Sequence, residues 1–164
     1  MNHTITPAPV KKTLTVRASP ETAFRVFTEG FDRWWPRSHH IGKAELKHAI
    51  IEPKAGGRWY EVCADGSECE WGDVLAWEPP LPGGQRGRLL LAWRLNAQWD
   101  YEPDLLTEVE VRFTALDDGQ TRVDFEHRGF ERMGAGGEAA RAGVDGPGGW
   151  GAILAEFKTV ADAA

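Results

Sequence analysis

The sequence predicts an α+β fold: a curved antiparallel sheet of seven strands wrapped around a long C-terminal helix, with two short helices between the first and second strands. Three observations predict it. Most of the chain after Glu45 reads as segments of alternating apolar and polar residues, broken by Gly, Pro and Asp clusters. Trp150, Ile153, Leu154, Phe157, Val160 and Ala161 instead recur at helical spacing. Finally, Gly56 to Pro80 spells two strands, the turn between them and a diproline stop, and carries Trp59, Trp71 and Trp77, three of the eight tryptophans.

In chain order, residues 1–9 are polar with two prolines and read as a flexible N-terminal arm, leaving 10–164 as a single domain. Val10 to Arg17 alternates around Leu14 and Val16, a first strand. Ser19 is a suitable N-cap, Pro20 suits the first helical position, and Ala23, Phe24 and Phe27 share a stripe, so a helix runs from about Pro20 to Thr28. Gly30 breaks it, and Phe31 to Trp35 has room for one further turn before Pro36. Strands follow at Ala49 to Glu52, Arg58 to Cys63, Glu68 to Glu78, Arg88 to Leu95, Leu106 to Ala115 and Thr121 to Arg128, with Pro82-Gly83-Gly84 as a loose turn. In the last two, charged residues oppose an apolar set, as in a sheet packed on one face. Gly134 to Gly149 holds seven glycines; it reads as a mobile stretch and gate with one turn at Glu138 to Ala142, before a helix starting near Pro147.

The bulk numbers narrow the partners. A net charge of -6 works against phosphate backbones and anionic lipid, so neither nucleic acid nor membrane is expected. The start, MNHTITPAPVKK, has no apolar run of signal-peptide length, and no stretch approaches the roughly 20 apolar residues of a spanning helix; the cytoplasm is the expected compartment. Cys63 and Cys69 are read as free thiols. His39, His40 and His48 lack ligand-spaced partners, so no metal is expected, and Gly83 to Gly87 lacks phosphate-loop spacing, so no cofactor is implied either.

The order of elements, with GGRWYE, ADGSE, WGDVLAWEPP, EHRGF and the GGW that opens the last helix, resembles the bacterial relatives of the heat-shock-protein-90 ATPase activator, within the START-like or SRPBCC superfamily. The resemblance runs from about Val10 to Val160 and implies the helix-grip fold. It does not imply one function, because fold and function are separable.

A sheet gripping a helix leaves a cavity where the two diverge. Trp34, Trp35, Trp71, Trp93, Phe125 and Trp150 are the aromatics placed nearest it, with Phe113. His127 shares a face with Val123 and Phe125 and so points inward, as a ligand contact, a base or a structural hydrogen-bonding group. His39 is a rim contact implied by the resemblance. Two registers are open at the Asp65-Gly66 hairpin. A two-residue turn sets Tyr60 against Trp71 and Arg58 against Asp73, whose pair would anchor a polar group or form a plain ion pair; a three-residue loop with a glycine bulge shifts each pairing by one and brings Glu61 to Trp71's side.

Three functions follow as expectations. The first is binding of a small apolar or amphipathic molecule without turnover. The second, implied by the resemblance, is a co-chaperone-like module acting on a chaperone ATPase. The third is a cyclase or hydrolase using His127 with Glu61 or Asp73. Homodimerisation through an edge strand is left open.

Overall fold

The computed structural model describes residues 7–81 and 86–164. The Pro82-Gly83-Gly84 turn and the first six residues of the N-terminal arm lie outside the described residues.

Seven strands form one antiparallel sheet: β1 (Val10–Val16), β2 (Leu46–Ile51), β3 (Arg58–Cys63), β4 (Glu68–Glu78), β5 (Gly87–Trp93), β6 (Thr107–Ala115) and β7 (Thr121–Arg128). The spatial order is β1-β7-β6-β5-β4-β3-β2, so β2 to β7 form a meander and β1 closes on its last strand. Helices α1 (Pro20–Phe27) and α2 (Phe31–Trp34) connect β1 to β2 across the sheet. The Ser19 hydroxyl caps α1 by accepting the Thr22 N–H at 3.2 Å.

The C-terminal helix α4 (Trp150–Ala163) lies on the concave face. Its buried stripe of Trp150, Ile153, Leu154, Phe157 and Ala161 is the predicted one. Phe157 packs edge-on against Phe27 at 5.1 Å between ring centroids and against Trp34 at 5.5 Å, which fixes α4 to the two short helices. The Arg17 N–H donates to Asp162 at 2.7 Å and ties the end of β1 to the last turn of α4.

The glycine-rich stretch departs from expectation. It is helical, with a 3-10 segment at Phe130–Gly136 followed by α3 (Gly137–Asp145), nine residues where a single turn was expected. Buried Val144 and partly buried Ala140 hold this stretch to the core, outweighing the low helix propensity of glycine. Helix α4 starts at Trp150 because Gly149 must approach closely: a Cβ there would lie 2.0 Å from the Val144 carbonyl oxygen.

The hairpin at Asp65-Gly66 uses both candidate registers. Next to the turn, the Gly66 N–H donates to the Cys63 carbonyl and Gly66 has φ of +87°, a three-residue loop that pairs Glu61 with Cys69 and Tyr60 with Glu70. A bulge at Trp71 then restores the other register, pairing Trp59 with Gly72 and Arg58 with Asp73. The physical reason lies in the carboxylates. Holding the Trp59–Gly72 register up to the turn would set Glu70 opposite Glu61 on the buried face, and holding the turn-side register outward would turn Asp73 inward, whereas the bulge keeps Glu70 and Asp73 outward and Trp71 inward.

Candidate ligand-binding site

Where α4 diverges from the sheet, a cavity of about 280 Å³ opens between the middle strands, the α2–β2 loop and the start of α4. Four indoles form its walls: Trp35 from the end of α2, Trp71 from the β4 bulge, Trp93 from the end of β5 and Trp150 from the first turn of α4. They touch one another, with Trp35 to Trp71 at 5.0 Å, Trp93 to Trp150 at 5.7 Å and Trp35 to Trp150 at 5.9 Å between ring centroids. Polar groups are few: Ser38, His39 and His40, all from the loop after α2.

Two buried polar relays hold the indoles in place. Behind Trp150, its Nε1–H donates to Nδ1 of His127 at 3.1 Å, and the His127 Nε2–H donates to the Thr107 hydroxyl at 3.1 Å. That hydroxyl in turn donates to the Trp93 carbonyl at 2.8 Å, so the chain of donors assigns His127 as the neutral Nε2–H tautomer. His127 is 0% exposed, and burial pushes its pKa down to about 3. Behind Trp71, the Glu61 carboxylate accepts from Trp71 Nε1–H at 2.8 Å and from the Ile41 and Gly42 N–H groups at 2.7 and 3.2 Å. The Cys63 thiol donates to it at 3.5 Å, and burial, foremost, raises the pKa of that thiol. Glu61, Cys63 and Cys69 offer donor atoms within 4.8 Å of one another, and Glu61 accepts two hydrogen bonds on each oxygen, one of them from the Cys63 thiol.

The mouth is spanned by His39. Its Nε2–H donates to the Gly148 carbonyl at 2.7 Å and its Nδ1 accepts from the Ser38 hydroxyl at 2.9 Å, linking the α2–β2 loop to the α3–α4 turn. The His39 carbonyl also accepts the Trp35 Nε1–H at 2.7 Å. Neighbouring His40 donates Nδ1–H to the Gly42 carbonyl at 2.9 Å, which leaves Nε2 as its other ring nitrogen.

Of the residues singled out from sequence, Trp35, His39, Trp71, Trp93 and Trp150 line the cavity. The others lie elsewhere. Trp34 is in the core, its Nε1–H spent on the Val26 carbonyl at 3.0 Å. Phe125 is buried behind Trp150 at 4.6 Å, and His127 and Glu61 back the walls. Arg58, Tyr60 and Asp73 sit on the outer face, since alternation from the buried Trp59 and Glu61 turns them away. Although their Cα atoms are paired, Arg58 and Asp73 form no ion pair: Arg58 bonds Glu68 at 2.8 Å and Glu70, over the Tyr60 ring, while Asp73 accepts from Arg94 at 2.6 Å. An acid–base set of His127 with Glu61 or Asp73 is therefore not assembled. Sequence reasoning missed His40, Ile41, Leu95, Trp99 and Val144: the first four lie in connections of the structure, and Val144 lies on α3, whose glycines hide the helix.

The sequence model of the family described as Activator of Hsp90 ATPase homolog 1-like protein matches residues 17–162. The chain belongs to that family. Two solved structures of similar sequence have the same fold as this family member. One is an anthrahydroquino-gamma-pyrone synthase, Txn09, complexed with SUM: 37% identity, 94% of this chain and 97% of that chain covered, TM-score 0.63. The other is CalC from Micromonospora echinospora, a self-sacrificing resistance protein: 36% identity, 96% and 95% covered, TM-score 0.68. The Aha1 dimer from Colwellia psychrerythraea, at 16% identity, 94% and 96% coverage and TM-score 0.54, shares the fold. No match is found among curated protein sequences. This member of the family is thus a helix-grip domain of the kind that supports ligand binding, and among its described residues no helix is long and apolar enough to cross a membrane.

Proposed function

We propose that the chain binds a flat, oligocyclic aromatic small molecule in the cavity between α4 and the sheet. The observation that carries this reading is the set of four indoles, Trp35, Trp71, Trp93 and Trp150, around one space with few polar groups. Indole faces favour planar, polarisable rings over branched aliphatic chains. His40 supports the orientation: with Nδ1–H committed to Gly42, its Nε2 accepts a hydrogen bond from a ring hydroxyl. The relative at 37% identity, a synthase of an anthrahydroquino-gamma-pyrone, supports the same ligand class.

Tryptophan fluorescence tests it directly. Hydroxylated anthraquinones are expected to quench saturably at micromolar concentration, while palmitate and cholesterol leave the emission unchanged. Equal or stronger binding of the aliphatic probes overturns the reading.

Turnover of such a ligand is the second reading, and His40 favours it. A neutral imidazole held by a backbone carbonyl on one nitrogen is a general base on the other. His40→Gln is then expected to retain the ring's affinity and abolish any product seen by mass spectrometry with the native chain. A variant that still forms product removes His40 from this role. The chaperone-regulating reading rests on the family description alone.

A further inference from the structure

The connection between β5 and β6 carries a feature that the main cavity does not account for. Trp99 stands at its tip, 48% exposed, in a left-handed conformation with φ of 65° that a bulky side chain rarely adopts. Asn96 enforces that conformation. Its side-chain oxygen accepts the Gln98 and Asp100 N–H groups at 2.9 and 3.0 Å, its amide donates to Glu102 at 2.7 Å, and its carbonyl accepts the Trp99 N–H at 3.0 Å. A strained residue fixed by its surroundings at a cavity rim is a functional signal.

On the far side of Trp99 lies a second cavity of about 100 Å³, beneath α3 and the 3-10 segment before it. The two spaces share Trp93, Trp99, Gly143 and Val144, so they abut across the two indoles. Trp93 is held by rings on several sides, including Trp59 at 5.5 Å, His127 at 5.1 Å and Trp150 at 5.7 Å. Among the described residues Trp99 has one ring contact, with Trp93 at 6.1 Å. Of the two residues, Trp99 is the one that can give way.

The small cavity selects its occupant. Phe130, Met133, Ala139 and Ala140 supply apolar walls, and the Asn96 amide is engaged within its own loop, its oxygen by two N–H groups and its nitrogen by Glu102. A polar group placed there would lose water and find few partners.

We propose that this space is a second subsite, which takes an apolar substituent, a short alkyl chain or one further ring, carried by the aromatic ligand of the main cavity. Trp99 separates the two and sets which ligands span them. The proposal rests on the aromatic-ligand reading above, and the test separates the two.

The probes are 1,8-dihydroxyanthraquinone and a homologous series bearing a 3-alkyl chain of one to five carbons, with Kd read by calorimetry. Each methylene that enters the subsite is expected to tighten binding by about fourfold, until the space is filled. Ala140→Phe and the smaller Ala140→Leu fill the subsite without touching the main cavity. In either variant, checked for a native thermal transition, the parent ring is expected to bind as before and the gain with chain length to vanish. A series flat in the native protein, with the parent ring bound, overturns the subsite and leaves the main reading standing. A gain that survives in both folded variants places the chain elsewhere and also overturns it. If the parent ring itself does not bind, the aromatic-ligand reading fails and the subsite falls with it.

Discussion

The indole of Trp150 donates its one hydrogen bond to Nδ1 of His127, so the first residue of the gripped helix is anchored to the last strand of the sheet at the floor of the cavity. The imidazole performs this role only while neutral, because protonation at Nδ1 would set two donors against each other.

Acid should therefore release the anchor. The folded-state pKa of His127, about 3, lies below the ordinary unfolded value of about 6.5. The unfolded chain takes up the proton first, so this contribution to stability is complete above about pH 6.5 and lost as pH falls toward 3. By pH 4.5 the loss is roughly 3 kcal/mol. Urea midpoints measured from pH 8 to 4.5 should fall accordingly, and His127→Gln, which cannot titrate, should flatten that part of the curve while starting from a lower stability.

A second acid window has a separate origin. Burial works to raise the pKa of Glu110, but hydrogen bonds from Arg128 at 2.8 Å and from Arg88, with the nearby Arg112 charge, outweigh it and bring it to about 2. Depressed from its ordinary value, this carboxylate contributes stability above about pH 4.5 that is lost as pH falls through 2, roughly 3 kcal/mol in all. Glu110→Gln should remove the lower part of the acid profile and leave the His127 window intact.

Glu61 admits no conservative replacement. In Glu61→Gln the new amide must face either the Ile41 and Trp71 donors or those of Gly42 and Cys63, and one backbone N–H is left opposed by another donor. A loss of about 2 to 3 kcal/mol is expected in chemical denaturation, with a shifted Trp71 emission.

Gly72 follows the bulge and faces the β5 backbone. A Cβ there would sit 1.7 Å from the Ala92 carbonyl oxygen, a backbone atom of the neighbouring strand that cannot swing aside. Gly72→Ala is expected to cost about 3 kcal/mol or more, read as loss of soluble expression or of the thermal transition.

The fold was legible because each level of pattern agreed with the next. Alternation in Thr107–Ala115 and Thr121–Arg128 marked a one-sided sheet, and the stripe from Trp150 marked what covers it. Helix α3 was not legible, since its glycines mask a helix that Val144 and Ala140 secure through tertiary packing. The site was legible where an inward-facing tryptophan stood near the end of a strand or helix, as at Trp35, Trp93 and Trp150. His127 was read correctly as inward, but an inward face does not distinguish a cavity wall from the layer behind it, and that layer is where it lies. Arg58 and Asp73 show the converse: Cα pairing does not decide which neighbours a long side chain reaches.

The bulge at Trp71 makes the hairpin a register lock whose key is charge. Sliding Tyr60 to Cys63 by one residue against β4 would erase the bulge, expel the indole to the outer face and force the Glu70 carboxylate in beside Glu61. Two like charges without water oppose that slip. The outward pairing of Glu70 with Arg58, remote from the cavity, therefore guards the position of an indole inside it, and a neutral residue at position 70 would let the strand choose between two interiors.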